Sequence, residues 1–238
     1  MSSIVSLFST LVAVLAAGVG SSSVVQAPVE DAAVQEISAV SEFSTGSISA
    51  EDVALFDSAA PYSYGKSKSE ITVFEFSDPQ CPFCRTIHKD KTLQKIVDAS
   101  KGRVSLATSY FPLDFHQGAK EESVAGICYG KLAGKTAYLD YKNRAFSRSS
   151  DSYGAYYSKE ELANLAKGYG IDSAKYESCV TDGGVAKSLE ESMAKASSYG
   201  IAGTPGYLIV NRTTGKYVQI SGAYPLETFV KAVREAVK

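Results

Sequence analysis

An α/β fold, in which a strand-helix-strand half and a hairpin-helix half flank a helical insertion, is predicted by three features of the 238-residue sequence. Runs rich in β-branched and aromatic residues fall in two separate places, at 71–76 with 104–110 and at 207–210 with 217–220. The stretch between them, 117–199, carries only helical spacing, and a final amphipathic run closes the chain. With 45% hydrophobic and 21% charged residues the bulk of the chain has an ordinary globular composition, which excludes disorder throughout.

The first 65 residues differ from the rest. They hold seven acidic residues and no Lys or Arg, so they carry −7, while residues 66–238 carry +5 from 24 basic and 19 acidic side chains. Those later charges are mixed rather than gathered into a basic stripe, and nucleic acid is not an expected partner. Ile4 to Gly20 is apolar and small, the texture of a signal-peptide core or a short membrane anchor, so residues 1–27 are read as a leader or anchor. The positive flank is missing and Val25-Gln26-Ala27 is followed by Pro28, which leaves cleavage and retention both open. Residues 28–65, rich in Ser, Ala and acids with a weak helical pattern over 30–40, read as a flexible tether. The folded domain is therefore expected over 66–238.

That domain opens with Ile71-Thr72-Val73-Phe74-Glu75-Phe76, a strand, then Ser77-Asp78-Pro79. One helix is expected from Phe83 to Ser100, stopped by Lys101-Gly102. Val104, Leu106, Thr108 and Tyr110 alternate along a second strand. In the helical region Val124, Ile127, Cys128 and Leu132 make one apolar face, Ser158 to Glu161 forms a capping box ahead of Leu162, and Val185, Leu189, Met193 and Ala196 make another face closed by Gly200. The Ser- and Tyr-rich stretch 147–157 is a loop. Tyr207-Leu208-Ile209-Val210 and Tyr217-Val218-Gln219-Ile220 flank a turn at 211–215, a hairpin, and Leu226, Phe229, Val230, Val233 and Val237 define the last helix.

The chemistry concentrates at Cys81-Pro82-Phe83-Cys84, directly after the first strand. Two cysteines separated by two residues can close a small ring. Placing the first at a helix N-terminus aims free N–H groups and the positive dipole end at its sulfur, which favours the nucleophilic thiolate. Pro82 suits the first helical turn, where its missing N–H is no loss. A zinc site would need a second close pair, whereas Cys128 and Cys179 are isolated and His88 and His116 lack a finger spacing, so no metal is expected.

The run Glu75-Phe76-Ser77-Asp78-Pro79-Gln80-Cys81-Pro82-Phe83-Cys84, the helical insertion at about 117–180, and Gly203-Thr204-Pro205-Gly206 before a hairpin together resemble DsbA-type thiol-disulfide oxidoreductases of the thioredoxin superfamily. Phe111-Pro112-Leu113-Asp114-Phe115-His116 resembles the bacterial thioredoxin-like subgroup of these proteins. The resemblance implies a thioredoxin fold, Cys81 as the exposed attacking sulfur, Cys84 as its buried partner, and Thr204-Pro205 as a cis-proline loop beside them. It implies that Pro82, Phe83, Thr204 and Pro205 meet the substrate. Strand alternation puts Glu75 on the face of Ile71 and Val73, and its place six residues before Cys81 implies a buried acid that exchanges protons with Cys84. Some relatives carry a bridge within the insertion. Since a buried pair in an oxidising compartment tends to be bonded, a structural Cys128–Cys179 disulfide is expected, the alternative being two free thiols.

The function implied is an exported oxidase that introduces disulfides into other exported proteins, as a monomer without cofactor, its electrons passing to a quinone-linked membrane partner of the DsbB or vitamin-K-epoxide-reductase kind. Two alternatives stay open: an isomerase or reductase working through the same site, since strongly oxidising relatives carry His where this chain has Phe83, and a noncatalytic peptide-binding or scaffold module.

Overall fold

In the computed structural model, which describes residues 43–148 and 156–238, the strongest strand-forming run becomes the centre of a six-stranded mixed sheet. The strands are β1 (Ser44–Ser47), β2 (Ser63–Tyr64), β3 (Ile71–Ser77), β4 (Val104–Tyr110), β5 (Gly206–Asn211) and β6 (Lys216–Ser221). Their order across the sheet is β1-β6-β5-β3-β4-β2. β3 runs parallel to β4 and antiparallel to β5. Both faces of β3 and β4 are buried along their whole length, and their buried polar residues include Thr72 and Ser105, whose hydroxyls pair at 3.1 Å, and Glu75, which accepts from Thr108.

One face, lined by Ile71, Val73, Val104, Leu106, Ile209 and Val218, is covered by α3 (Thr92–Ala99) and α8 (Leu226–Val237). The other, lined by Phe74, Phe76, Leu208 and Val210, is covered by α1 (Ala50–Ala59) and α7 (Gly183–Ser198). The expected tether is thus folded from residue 44 onward. Ser49 caps α1 by accepting from Asp52 N at 3.0 Å, and the fully buried Phe56 meets Phe74 and Phe76 edge-on or tilted at 5.6 and 5.2 Å. The cap, the Phe56 anchor, and ion pairs from Asp52 to Lys195 and from Asp57 to Arg212 hold a segment whose mean composition resembles a linker. The leader and the weak helical pattern over 30–40 lie outside the described residues. Among the described residues no helix is long and apolar enough to cross a membrane.

The single helix expected after the cysteine motif is two, α2 (Pro82–Lys89) and α3, because Lys91 turns left-handed at φ 52°. The helical region contains α4 (Ala119–Phe146), α5 (Lys159–Gly168), α6 (Ser173–Thr181) and α7, within the 117–199 stretch expected to be helical. α4 is not straight. Gly134 stands at φ 80°, ψ −169°, and Tyr141 Oη donates to the Glu122 carbonyl at 2.9 Å. Nineteen residues of unbroken helix would separate those groups by about 28 Å, so the helix folds back on itself at Gly134. Leu132, expected on the buried face, stands exposed beside this reversal.

The folded-back helix is stapled at two places. Cys128 and Cys179 form a disulfide joining α4 to α6 across 51 positions. The fully buried Glu122 carboxylate pairs with Arg148 at 2.6 Å and accepts Tyr157 N at 2.9 Å. Removing one partner of such a pair strands the other, so Glu122→Gln is expected to lower stability by about 3 kcal/mol in denaturant unfolding. A loss below about 0.5 kcal/mol would mean that water serves Arg148 equally well.

Candidate active site

Cys81 is the residue immediately before α2, with Pro82 at the first helical position, so the free N–H groups of that turn surround its sulfur. The turn leading into it is tied down by Asp78, whose buried carboxylate accepts Gln80 N at 2.7 Å and Leu113 N at 2.8 Å and pairs with His116 Nδ1 at 2.8 Å. Arg85, on the buried side of α2, donates through Nε to the Pro79 carbonyl at 3.1 Å. The cysteine loop is therefore fixed from both sides, by the 111–118 segment and by its own helix.

The peptide between Thr204 and Pro205 is cis, and the Cys81 thiol donates to the Thr204 carbonyl at 3.3 Å. Gly206 follows at close quarters: a Cβ there would lie 2.7 Å from Ile201 Cγ2 and 3.1 Å from the Gly203 carbonyl. Cys81, expected to be exposed, keeps only 3% of its surface, because the Thr204-Pro205 loop lies over it, while Cys84 is fully buried. Phe83 projects outward at 63% exposure.

Both thiols are free, and their environments separate them. The Cys81 thiol is lowered from 9.0 to about 6. The Cys84 thiol beside its sulfur is the largest cause, burial works against it, and Thr204 and the N–H groups of Cys84 and Phe83 add to it. Thr204 acts here through proximity, since its Oγ1 makes no hydrogen bond of good geometry among the described residues. The Cys84 thiol is raised, first by burial and then by Cys81, with Ser77 and the Asp78 backbone opposing. The pair thus holds one thiolate and one thiol at neutral pH.

Glu75 is buried, accepts from Thr108 Oγ1 at 2.8 Å, and faces Lys142 Nζ at 3.7 Å. Lys142, itself buried, also donates to Thr108 Oγ1 at a short 2.5 Å. Burial lowers the Lys142 ammonium and Glu75 opposes that shift. Lys142 comes from the returning half of α4, reaching the sheet only because the helix reverses. His88 lies on Phe146 with ring centroids 5.4 Å apart; burial, followed by the Lys142 charge, lowers it to about 4, so at neutral pH it brings no charge to the site. Asp78, Thr108, His116 and Lys142 were not evident as site residues in the sequence. Lys142 is brought to Glu75 by the reversal at Gly134, the left-handed break inside α4, which the helical spacing of the sequence does not disclose.

The family model described as Thioredoxin matches residues 57–230. No curated protein matches the chain. Among solved structures, DsbA2 of Pseudomonas aeruginosa is 26% identical with a TM-score of 0.59, covering 73% of this chain and 92% of its own. BdbD of Bacillus subtilis in its oxidised form has a TM-score of 0.62 at 20% identity, over 82% of this chain and 98% of its own. A thioredoxin-like oxidoreductase from Silicibacter pomeroyi DSS-3 aligns at 0.59 and 21% identity, over 76% and 96%. The last two carry the shared fold. The family match over most of the chain, with a DsbA-type helical insertion set into the sheet, places this protein in the thioredoxin family as a DsbA-like thiol-disulfide oxidoreductase.

Proposed function

We propose that this protein oxidises cysteine pairs in exported proteins, with Cys81 as nucleophile and leaving group, Cys84 as its resolving partner and Glu75 as the acid that exchanges the Cys84 proton. The observation that carries the reading is the lowered Cys81 thiol at the helix N-terminus, set against a raised Cys84 thiol. In the oxidised protein a substrate thiolate attacks Cys81 Sγ, the Cys81–Cys84 bond breaks, and Cys84 takes up a proton. A second substrate thiolate then attacks the substrate sulfur of the mixed disulfide, and Cys81 departs as a thiolate. A stabilised Cys81 thiolate lowers the energy of the reduced protein, which makes the disulfide a better oxidant.

The substrate meets Pro82, Phe83, Thr204 and Pro205, where the outward-facing Phe83 offers an apolar surface. An oxidising location agrees with the Cys128–Cys179 bridge and with a leader over residues 1–27. Electrons leave through a quinone-linked membrane partner of the DsbB or vitamin-K-epoxide-reductase kind, and the chain works as a monomer without cofactor.

Two measurements test the reading. Alkylation of the reduced protein by iodoacetamide should rise with a midpoint near pH 6, as Cys81 ionises. The sign follows: a thiol lowered in the folded state stabilises the reduced protein above its unfolded value, and that gain is lost as pH falls through about 6. A midpoint near about 8.5, that of a free cysteine, contradicts an activated Cys81. The equilibrium of the Cys81–Cys84 pair with glutathione should give a potential more positive than about −200 mV; a value near about −270 mV makes the protein a reductase.

A further inference from the structure

Arg85 carries a guanidinium into the interior, with only 4% of the residue exposed. A buried charge is costly, and a methionine would cover the same side of α2, beside the buried Cys84 and Ile87, without that cost. Packing therefore does not account for it. Its hydrogen bonds do. The Arg85 backbone N–H donates to the Cys81 carbonyl at 3.1 Å, and its side-chain Nε donates to the Pro79 carbonyl at 3.1 Å. One residue thus grips the main chain two positions ahead of the attacking sulfur and again at the carbonyl of Cys81 itself.

We propose that Arg85 is a positioning residue for Cys81, holding the Pro79 and Cys81 carbonyls so that Sγ stays over the open N–H groups of α2. The inference rests on the reading of Cys81 as the nucleophile. Cys81 stands just outside the helix with extended backbone, at φ −68° and ψ 119°. A change in ψ there swings Sγ away from the N–H groups of Phe83 and Cys84, which help to lower its thiol. The thiolate loses more by that movement than the thiol does, because a charged acceptor makes the stronger hydrogen bonds.

The charges about the guanidinium suit a fixed clamp. Asp78 and Cys81 act on it from the turn, and Glu122 and Arg148 from the insertion. Burial first, and then Arg148, lower the group, while Glu122, Asp78 and Cys81 oppose them. An arginine remains a cation under these conditions, so its bond to the Pro79 carbonyl is charge-assisted in both redox states.

The test uses the full chain as parent, Arg85→Met and Arg85→Lys. In Arg85→Met the midpoint of Cys81 alkylation should rise from about 6 to about 7, the scale of one lost charge-assisted hydrogen bond. At about pH 8 the equilibrium with glutathione should shift about tenfold toward a weaker oxidant, about 30 mV. Unfolding separates positioning from mere support: the reduced protein should lose about tenfold more in its unfolding equilibrium than the oxidised one. Arg85→Lys keeps the charge without the planar N–H fork and should shift the midpoint as methionine does. Full recovery by lysine would assign the effect to charge alone and overturn the clamp. An unchanged midpoint in Arg85→Met, with equal losses of stability in the two redox forms, overturns it as well. A parent midpoint near about 8.5 removes the activated Cys81 itself, whereas a parent near 6 with an unmoved variant removes only the role of Arg85. Should both variants fold poorly, the parent decides the matter by nitrogen NMR. The Arg85 Nε resonance should move with a midpoint near pH 6 in the reduced protein and hold still over that range in the oxidised one. A resonance that ignores the ionisation of Cys81 overturns the proposal.

Discussion

Cys81→Ser should reduce the oxidation of a peptide dithiol to the uncatalysed rate, whereas Cys84→Ser, which also lacks the oxidising disulfide, should still trap a mixed disulfide on Cys81 when offered an activated substrate disulfide. In the oxidation cycle every bond made or broken with substrate is at Cys81, so its loss leaves no electrophilic sulfur. Cys84 is fully buried and touches no substrate. Without it, Cys81 exchanged with an activated substrate disulfide holds the mixed species, because no neighbouring thiol can displace it. Intact-mass measurement should show one substrate segment per Cys84→Ser molecule, reversible with dithiothreitol. Turnover in Cys81→Ser would return the protein to the class of peptide-binding or scaffold modules. Failure to trap in Cys84→Ser would mean that another thiol resolves the bond.

Replacing Cys128 and Cys179 together with serine should destabilise the protein by about 4 kcal/mol, from the loop entropy released in the unfolded chain across 51 positions. For a domain of this size that lowers the melting temperature by about 10 °C. The variant should still alkylate at Cys81 with its midpoint near pH 6, since neither cysteine contributes to the shift there. A melting temperature within about 2 °C of the parent would show that the insertion is held by packing alone. Tyr129 makes this a fair contest: its hydroxyl donates to the Leu162 carbonyl at 2.7 Å, and its ring meets those of Tyr141, Tyr169 and Tyr176.

Elements whose period or cap chemistry is local were legible in the sequence. The hairpin at 206–221, the final helix, and the capping box at Ser158 and Glu161 all stand where their residues predict. Asn211 also follows local rules, its Oδ1 accepting from Thr213 N and Thr214 N at 3.0 and 3.2 Å in the turn. What escaped was tertiary. β1 and β2 are short edge strands of four and two residues, too brief to show a period, and they pair with β6 and β4. The reversal at Gly134 was invisible because the apolar spacing before it continues smoothly through Leu132, and a lone glycine inside a helical pattern is commonly tolerated. Missing it concealed Lys142, which in a straight helix would lie far from Glu75. The Thr204-Pro205 loop was placed beside Cys81 by the family resemblance alone, since Thr204 is 123 residues away along the chain.

The reversal of α4 ties two properties that are usually varied separately. The ammonium facing Glu75 is delivered by the cap, whose footing depends on the Gly134 turn, the Glu122–Arg148 pair and the Cys128–Cys179 bridge. A substitution that loosens the returning half of α4, tens of residues from either cysteine, moves Lys142 before it unfolds anything. Its earliest trace would be an altered pH profile for sulfur exchange in a protein of normal content of helix and strand. The firmness of the helical insertion and the position of the Lys142 ammonium therefore depend on the same residues.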